Sequence, residues 1–342
     1  MHLQDALQTL AEGQHLTAEE AEQVAGQLIS GAASPAQTAA LLMALRVRGE
    51  APAELTGFVR AIRSAAAPFP RPEPPGGVLL DTCGTGGDGI GTFNVSTAVA
   101  VIAASLGVPV AKHGNRAASS RSGSADVLEQ MGYPLDLEPE ASARLLEEEG
   151  FCFLMAPSYH PALRHVGPVR RELKVRTIFN LCGPLANPAR PTHQIVGVSD
   201  ARFLIPMAET LVHIGIAEAL LVCGSDTLDE LTLSGPTEGI RVRDGRLLPW
   251  RFQPEELDWP RRPLDGCLAR DAAHSAELLA EVFEGKAGPA TDLALLNCGA
   301  ALMVAGRAAS VGKGVELARE AVESGEAPRK WERIVARAGA LR

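Results

Sequence analysis

The sequence predicts a helical N-terminal region followed by a larger α/β region with a central, largely parallel sheet. Three observations support this prediction. Residues 1–67 are helical in pattern. Residues 68–77 (PFPRPEPPGG) break all periodicity, because proline fixes φ and removes a donor while glycine frees the chain. From residue 78 onward, short apolar runs alternate with helical stretches, as in domains built from β-α-β units.

Helix start signals divide the N-terminal region. Thr17 and Glu20 have the spacing of a capping box, and Ser34 is an N-cap residue with Pro35 at the first helical position. The segment GEAP at residues 49–52 separates the last two helices. We therefore expect a bundle of helices ahead of the linker.

Apolar runs and helical periodicity position the elements of the second region. The predicted strands cover residues 78–81, 108–112, 151–155, 194–198 and 219–223, and the predicted helices cover residues 95–106, 140–149, 201–214, 270–284, 290–306 and 313–323. Residues 234–250 predict a hairpin around Asp244 and Gly245, which we expect to be an insertion. The expected boundaries are a helical domain over 1–67, a linker over 68–77 and an α/β domain over 78–342.

Composition limits the classes of function. The 342 residues carry a net charge of −9 at a pI near 5.5, so the surface as a whole should repel nucleic acid and anionic lipid, and an anion site must be built locally. No apolar stretch is long enough to cross a bilayer, and the first thirty residues carry acids without an apolar core, so we expect a cytoplasmic protein. The six cysteines form no C-x-x-C pair, which favours reduced, mostly buried thiols over a zinc site or disulfides.

The segment 81-DTCGTGGDGIGTFNVST-97 contains a G-x-G-x-x-G pattern directly after a predicted strand. A dinucleotide site requires an acid at the end of the second strand, where this chain has Lys112 and His113, and a P-loop requires Lys after its last glycine, where this chain has Ile90. The remaining interpretation is a phosphate or pyrophosphate held by loop amides and by the helix N-terminus that Ser96 opens. The alternative is a tight turn with Ser96 as a helix cap.

Two further loops follow predicted strands. The segment 112-KHGNRAASSRSGSADVLE-129 combines cationic and small polar side chains, and Lys112 suits a phosphate as a compact charge, although a solvated basic loop is the alternative. The segment 223-CGSDTLDELTL-233 carries Asp226, Asp229 and Glu230, which suit a Mg²⁺ ion shared with substrate phosphates. Taken alone, such an acidic loop is usually only solvated.

A fourth segment, residues 156–188, is rich in histidine and arginine. An arginine here suits the carboxylate of a second substrate, whereas a surface helix whose arginines pair with acids such as Glu172 explains most of the charges. The cationic residues are His160, Arg164, His165, Arg170, Arg171 and Arg176.

Together these segments resemble the anthranilate phosphoribosyltransferases of tryptophan biosynthesis. The matching motifs are GTGGDG (84–89), FNVST (93–97), KHGNRAASS (112–120), SGSADVLE (122–129), the segment VRRE to GPLANP (169–188) and LDE (228–230). The GTGG motif is shared with pyrimidine nucleoside phosphorylases, but those relatives have a Lys-Met-Ser-Gly segment where this chain has KHGN. A nucleic-acid-binding relative would show a basic groove and degraded LDE, KHGN or Arg170 positions, which this acidic chain retains.

The resemblance implies a small helical domain, completed by helices near 165–185, hinged to the α/β domain, and a homodimer formed through the helical domains. It implies transfer of the phosphoribosyl group of 5-phosphoribosyl 1-diphosphate (PRPP) to the amine of anthranilate, with release of pyrophosphate and a requirement for Mg²⁺. Neither nucleic acid nor membrane is an expected partner.

The resemblance also implies the site residues, motif by motif. PRPP would be bound by Gly84, Gly87, Asp88, Thr92, Asn94, Val95, Ser96, Thr97, Lys112, His113, Gly114, Asn115, Arg116, Ala117, Ala118, Ser119, Ser120 and Ser124. Anthranilate would be bound by Gly84, Asn115, His160 and Arg170, and Mg²⁺ by Ser96, Asp229 and Glu230. We expect no nucleophile or general base, because positioning and electrostatics suffice, with Lys112 and His113 in support.

Overall fold

The first helices of the chain form a bundle held by buried apolar faces. The computed structural model describes residues 1–117 and 121–342. The helices are α1 (Leu3–Ala11), α2 (Ala18–Ile29), α3 (Pro35–Arg48) and α4 (Pro52–Ser64). The predicted helix starts are confirmed, because Thr17 Oγ1 accepts the N–H of Glu20 at 3.2 Å and Ser34 Oγ accepts the N–H of Gln37 at 3.3 Å. The linker that follows contains only a short 3₁₀ turn at Pro75–Gly77.

Strands and helices alternate after the linker, as predicted. In chain order the elements are β1 (Leu80–Gly84), α5 (Val95–Ser105), β2 (Val110–Gly114), α6 (Ser124–Gln130), α7 (Pro139–Glu149), β3 (Phe151–Met155), α8 (Ala156–Tyr159), α9 (Gly167–Leu173), α10 (Ile178–Leu185), β4 (His193–Gly197), α11 (Leu204–His213), β5 (Glu218–Gly224), β6 (Thr237–Arg243), β7 (Arg246–Phe252), α12 (Ala272–Phe283), α13 (Pro289–Val304), α14 (Val311–Glu323) and α15 (Glu326–Leu341). All five predicted strands and all six predicted helices of this region are present.

The strands form one seven-stranded sheet in the order β3-β2-β1-β4-β5-β6-β7. The pairs from β3 to β5 are parallel, whereas β6 and β7 are antiparallel. The predicted hairpin is confirmed, with its turn at Asp244 and Gly245, but it extends the main sheet beyond β5 and is not a separate insertion. Strands β1, β2 and β4 are neighbours whose carboxyl ends share one edge, which is where open α/β sheets bind ligands.

The short helices α9 and α10 pack against the N-terminal bundle. Ile178, Leu181 and Leu185 of α10 belong to the same buried cluster as the apolar residues of α2 and α4. The ring of Phe179 meets that of Phe58 edge to face, with 5.5 Å between centroids. The part of residues 156–188 that forms α9 and α10 therefore lies on the bundle, and it faces the edge of the sheet across the cavity.

A second buried cluster lies around α5 and α13, on the other side of the sheet. Helices α6, α8 and α15 were not predicted from the sequence. Helix α15 buries Ala327, Trp331, Ile334 and Ala338 at helical spacing, but its many charged residues hide that stripe from a search based on apolar content. All six cysteines are buried free thiols, as expected. No helix within the described parts of the chain has the length and apolar character to span a membrane.

Candidate active site

A cavity of about 420 Å³ opens between the sheet edge and the N-terminal bundle. Its polar end is formed by the loops after β1 and β2 and by the loop after β5. Its other end is formed by α4, α9 and α10, with Ile62, Leu163 and Phe179 in its wall. The volume suits a small-molecule site, and the lining residues divide it into a polar end and a more apolar end.

The glycine loop after β1 is shaped by close contact with the acidic loop after β5. A Cβ on Gly84 would lie 2.5 Å from Asp229 Oδ2, and a Cβ on Gly197 would overlap the Asp229 carbonyl, so only glycine fits at both positions. The Gly86 N–H donates to Asp229 Oδ2 at 2.7 Å. Gly86 and Gly87 have φ of 64° and 71°, which other residues rarely adopt. The loop thus brings backbone amides and a carboxylate to one edge of the cavity.

The N-terminus of α5 meets the end of β2 at the cavity floor. Lys112 Nζ donates to Ser96 Oγ at 3.0 Å and to the Thr82 carbonyl, and only 2% of Lys112 is exposed. Withdrawal from water lowers the pKa of Lys112, while the buried Asp81 carboxylate opposes that shift. The Ser96 N–H faces the Glu230 carboxylate, so cation, carboxylate and helix terminus meet at one place.

Asp229 and Glu230 are buried acids that interact with each other and with Asp88, and Lys112 acts on Glu230. Burial, followed by the charge of Asp88, raises the pKa of Asp229 to about 6. Burial and the neighbouring Asp229 raise the pKa of Glu230 well above its ordinary range, and Lys112 only partly offsets this. Carboxylates with raised pKa and too little positive charge nearby favour a cation at this position.

Asn94, the N-cap residue of α5, is held in one orientation by two serines. Its Oδ1 accepts the hydroxyl of Ser275 at 2.8 Å and that of Ser122 at 3.0 Å. Its backbone N–H donates to Ser275 Oγ at 3.0 Å. Because the carboxamide oxygen is occupied by donors, the Nδ2 group remains the donor that Asn94 can offer to an anion in the cavity. Ser275 lies on α12 and is fully buried.

The loop after β2 forms the rim of the polar end. Arg116 pairs with Asp126 at 2.9 Å and with Glu129 at 2.8 Å, so its charge is already matched by acids of α6. Asp126 Oδ2 also accepts the N–H groups of Ala117 and Gly123, at 2.8 and 3.0 Å. The rim is therefore braced by α6.

The apolar end contains one arginine without an acidic partner. Arg170 forms no ion pair with any described residue, and its guanidinium lies over the Phe179 ring, 5.4 Å from the centroid. The rings of His113 and His160, which line the same cavity, lie edge to face with 5.1 Å between centroids. Burial lowers the pKa of His113 to about 3 and that of His160 to about 4, so both are neutral near pH 7.

The cavity brings together nearly all of the predicted site residues that the structure describes. Those lining it are Gly84, Gly87, Asp88, Thr92, Asn94, Val95, Ser96, Lys112, His113, Gly114, Asn115, Arg116, Ala117, Ser124, His160, Arg170, Asp229 and Glu230. Thr97 is absent from the lining and is 1% exposed, because its side chain turns into the core one helical step after Ser96. The predicted Ala118, Ser119 and Ser120 lie outside the described residues.

Other candidates of the sequence analysis lie elsewhere. The Asp226 carboxylate accepts the hydroxyls of Thr232 and Ser234, at 2.7 and 2.6 Å, and stabilises its own loop. Arg164, His165 and Arg171 do not line the cavity. Arg176 does not line the cavity either, but it contacts Ser199 and the Gly87 carbonyl oxygen of the glycine loop.

Sequence reasoning missed several residues that support the site. Asp81 is fully buried in β1, where its Oδ1 accepts the His113 N–H at 3.3 Å and its Oδ2 accepts from Gln194 at 3.2 Å. An acid inside an apolar strand was the available signal for Asp81. Ser275 is remote in sequence from the motifs, and nothing local marks it. Phe179 lay within the FNLCGP motif without an assigned role.

Family models match both parts of the chain. A model described as "Glycosyl transferase family, helical bundle domain" covers residues 4–66, and one described as "Glycosyl transferase family, a/b domain" covers residues 76–328. The chain is thus a member of a glycosyl transferase family with a small helical domain and a larger α/β domain.

Whole-chain similarity is more specific. The chain is 49% identical to the anthranilate phosphoribosyltransferase of Rubrobacter xylanophilus, over 97% of this chain and 96% of that protein, and 47% identical to that of Brevibacillus brevis, over 98% of each. The crystal structure of the anthranilate phosphoribosyltransferase from Thermus thermophilus superposes with a TM-score of 0.89 at 45% identity, covering 98% of this chain and 99% of that one. A Saccharomyces cerevisiae anthranilate phosphoribosyltransferase structure in complex with PRPP and Mg has a TM-score of 0.89 at 25% identity, covering 99% and 98%. The chain belongs to the anthranilate phosphoribosyltransferase family.

Proposed function

We propose that this chain transfers the phosphoribosyl group of PRPP to the amine of anthranilate and releases pyrophosphate. The observation that carries the proposal is the two-ended cavity. One end offers amides, a buried ammonium and carboxylates for a metal-bound diphosphate. The other end offers the unpaired Arg170 within an aromatic and apolar wall, which suits an aromatic carboxylate.

At the polar end the residues act on the leaving group. Breaking the bond between ribose C1 and the diphosphate oxygen leaves negative charge on pyrophosphate and positive charge on the sugar. The loop amides, the N-terminus of α5 and the Asn94 Nδ2 group are fixed before the reaction, so they stabilise that negative charge without reorganising. Lys112 adds a positive field from beneath Ser96.

At the apolar end the residues orient the acceptor. Arg170 on the carboxylate and Asn115 at the rim would hold the anthranilate amine opposite the leaving group, so that its lone pair forms the new bond to C1. The amine then loses a proton to water or to pyrophosphate. His113 and His160 are poor bases here, because burial lowers the pKa of His113 to about 3 and that of His160 to about 4. Their rings line the pocket.

We propose that Mg²⁺ is held by Ser96, Asp229 and Glu230. The fit is supported by the raised pKa of both carboxylates, which lack a sufficient cation among the described side chains. The described residues contain no group of three or more His, Cys, Asp or Glu arranged for a metal. Substrate oxygens and water would supply further ligands, as is usual for Mg²⁺ in proteins. When bound, Mg²⁺ would neutralise charge on the departing pyrophosphate.

A direct assay tests the reaction. The chain, PRPP, Mg²⁺ and anthranilate are mixed, and loss of anthranilate is followed together with pyrophosphate release. We expect equal amounts of each. No turnover, combined with phosphate-dependent cleavage of a pyrimidine nucleoside or tight binding of DNA, would establish one of the alternative functions instead.

The metal site is tested by Asp229→Asn combined with Glu230→Gln. We expect activity to fall by at least about a hundredfold and the Mg²⁺ concentration for half-maximal rate to rise, because each lost charge-assisted contact is worth about 1.5–3 kcal/mol. Asp226→Asn is the matched control, since that acid bonds only within its own loop. Lost activity with an unchanged Mg²⁺ requirement would indicate damage to the fold.

We also propose a homodimer formed through the helical domain. Val47 of α3 is 80% exposed and could contribute an apolar side chain to such an interface. Sedimentation should give twice the mass of the chain, and Val47→Glu should shift it toward a monomer. A monomeric wild-type chain would exclude this arrangement.

A further inference from the structure

Arg176 contacts the glycine loop but does not line the cavity. Its Nη1 donates to Ser199 Oγ at 2.8 Å and lies at 3.5 Å from the Gly87 carbonyl oxygen, a marginal hydrogen bond. Arg176 forms no ion pair with an acid in the described parts of the chain. Its main partners are therefore a hydroxyl and the backbone of the loop.

Ser199 lies between Arg176 and the glycine loop and bonds to both. Its hydroxyl accepts from Arg176 and donates to the Gly86 carbonyl at 3.2 Å, and its N–H donates to Thr85 Oγ1 at 3.2 Å. The carbonyl oxygens of Gly86 and Gly87 thus accept from Ser199 and Arg176. A carbonyl oxygen turned toward a phosphate would repel it, so the two contacts favour a loop conformation that can accept an anion.

The same segment supports Arg170. Arg176 lies between α9, which carries Arg170, and α10, which carries Phe179. The Arg170 guanidinium rests on the Phe179 ring, and Phe179 packs on Phe58 of the helical bundle. A displacement of α10 would therefore disturb the support of Arg170 and the contact of Arg176 with the loop together.

We infer that Arg176 is a positioning residue that couples the two ends of the cavity. A diphosphate in the glycine loop stabilises the conformation that Arg176 and Ser199 favour, which holds α10 in place and with it Arg170. Diphosphate should then raise the affinity for the acceptor carboxylate, and the acceptor should raise the affinity for diphosphate by the same factor. This inference rests on the proposed function, since it assumes a diphosphate at one end and a carboxylate at the other.

The coupling can be measured with magnesium pyrophosphate and anthranilate, which do not react with each other. The Kd of anthranilate is determined by calorimetry with and without saturating magnesium pyrophosphate. We expect the wild-type chain to bind anthranilate about fivefold or more tightly with pyrophosphate present, and Arg176→Met to reduce this factor to about twofold or less.

Two further variants make the test specific. Ser199→Ala removes the acceptor of Arg176 without altering α10 and should also reduce the coupling factor. Arg171→Met removes an exposed arginine from α9 that does not touch the loop, and it should leave the factor as in the wild type. Thermal unfolding of each variant shows whether it is folded. If Arg176→Met is not folded, the coupling factor of Ser199→Ala tests the inference.

The outcomes are distinct. A wild-type factor near one, or an unchanged factor in Arg176→Met and Ser199→Ala, overturns the inference. Weaker binding of anthranilate in Arg176→Met with an unchanged factor also overturns it, since Arg176 would then only support Arg170. Absence of turnover by the wild-type chain with PRPP and anthranilate overturns the proposed function, whereas turnover with unchanged coupling in the variants overturns the inference alone.

Discussion

At the scale of single residues, the site depends on charged groups that are withdrawn from water, and only some of them have an opposite charge nearby. Lys112 is buried, and the negative charges of Asp81 and Glu230 stabilise its ammonium group. Removal of one member of such a set leaves an uncompensated charge, which is costly. Substitutions at Lys112 must therefore be judged by which substrate they affect as well as by how much activity remains.

Lys112→Met and Arg170→Met should have opposite effects on the two substrates. We expect Lys112→Met to raise the KM for PRPP by about tenfold or more with a smaller effect on anthranilate, and Arg170→Met to do the reverse, because each loses a contact to a charged group. Steady-state kinetics with each substrate varied in turn provide the measurement. Equal effects on both substrates would contradict the assignment of the two ends.

Ser275→Ala should weaken PRPP binding although Ser275 does not line the cavity. Loss of the donor to Asn94 Oδ1 releases the carboxamide, and we expect the KM for PRPP to rise by up to about tenfold with that for anthranilate little changed. Ser275→Thr retains a hydroxyl and should restore much of the loss. Ser142→Ala, at another buried serine on α7, is the control and should leave both KM values unchanged. If Ser275→Ala behaves like this control, Ser275 does not position Asn94.

At the scale of elements, glycine determines how closely the helices and loops approach each other. Helices α2 and α4 touch at Gly57, where a Cβ would lie 2.6 Å from the Glu22 N and 2.7 Å from the Ala21 Cβ. Gly26 lies on α2 itself, and a Cβ there would meet nothing within 4 Å. The same substitution therefore has opposite expected effects at two positions of one bundle.

Gly57→Ala should lower the free energy of unfolding by about 1–3 kcal/mol, because the added methyl group forces α2 and α4 apart. Gly26→Ala should raise it by up to about 1 kcal/mol, because alanine restricts the unfolded chain and favours the helix. Denaturant unfolding of both variants beside the wild-type chain measures the difference. Similar effects from the two substitutions would contradict the close contact of the two helices.

At the scale of the whole molecule, the bundle and the sheet enclose two neutral histidines. Burial lowers the pKa of His113 to about 3 and of His160 to about 4, from an ordinary value of 6.5. Between those values and 6.5 the unfolded chain binds protons that the folded chain does not. The stability they contribute is therefore present above pH 6.5 and is lost as the pH falls toward 4.

The free energy of unfolding should accordingly decrease on acidification from pH 6.5 to pH 4, with a slope of up to about 1.4 kcal/mol per pH unit from each histidine. The measurement is urea unfolding across this range. The double variant His113→Asn with His160→Asn should show a smaller slope, whatever its absolute stability. An equal slope in the variant would show that other groups cause the acid sensitivity.

The alternation of strands and helices, the linker and the loops at the polar end of the cavity were predictable from the sequence. These features depend on local patterns, because apolar periodicity and glycine-rich turns act over a few neighbouring residues. The polar motifs were recognisable for the same reason. Ser96, Lys112 and Asp229 lie in short segments that begin at the ends of predicted strands.

Which of these residues meet, and which residues support them, depends on how the elements pack in three dimensions. Ser275 reaches Asn94 from a helix far along the chain, and Arg176, which resembled a surface arginine in sequence, contacts Ser199 and the glycine loop. Thr97, although it stands in a matching motif, turns into the core. The physical reason is that hydrogen bonds and burial depend on which elements pack together, and no local pattern in a single sequence records that packing.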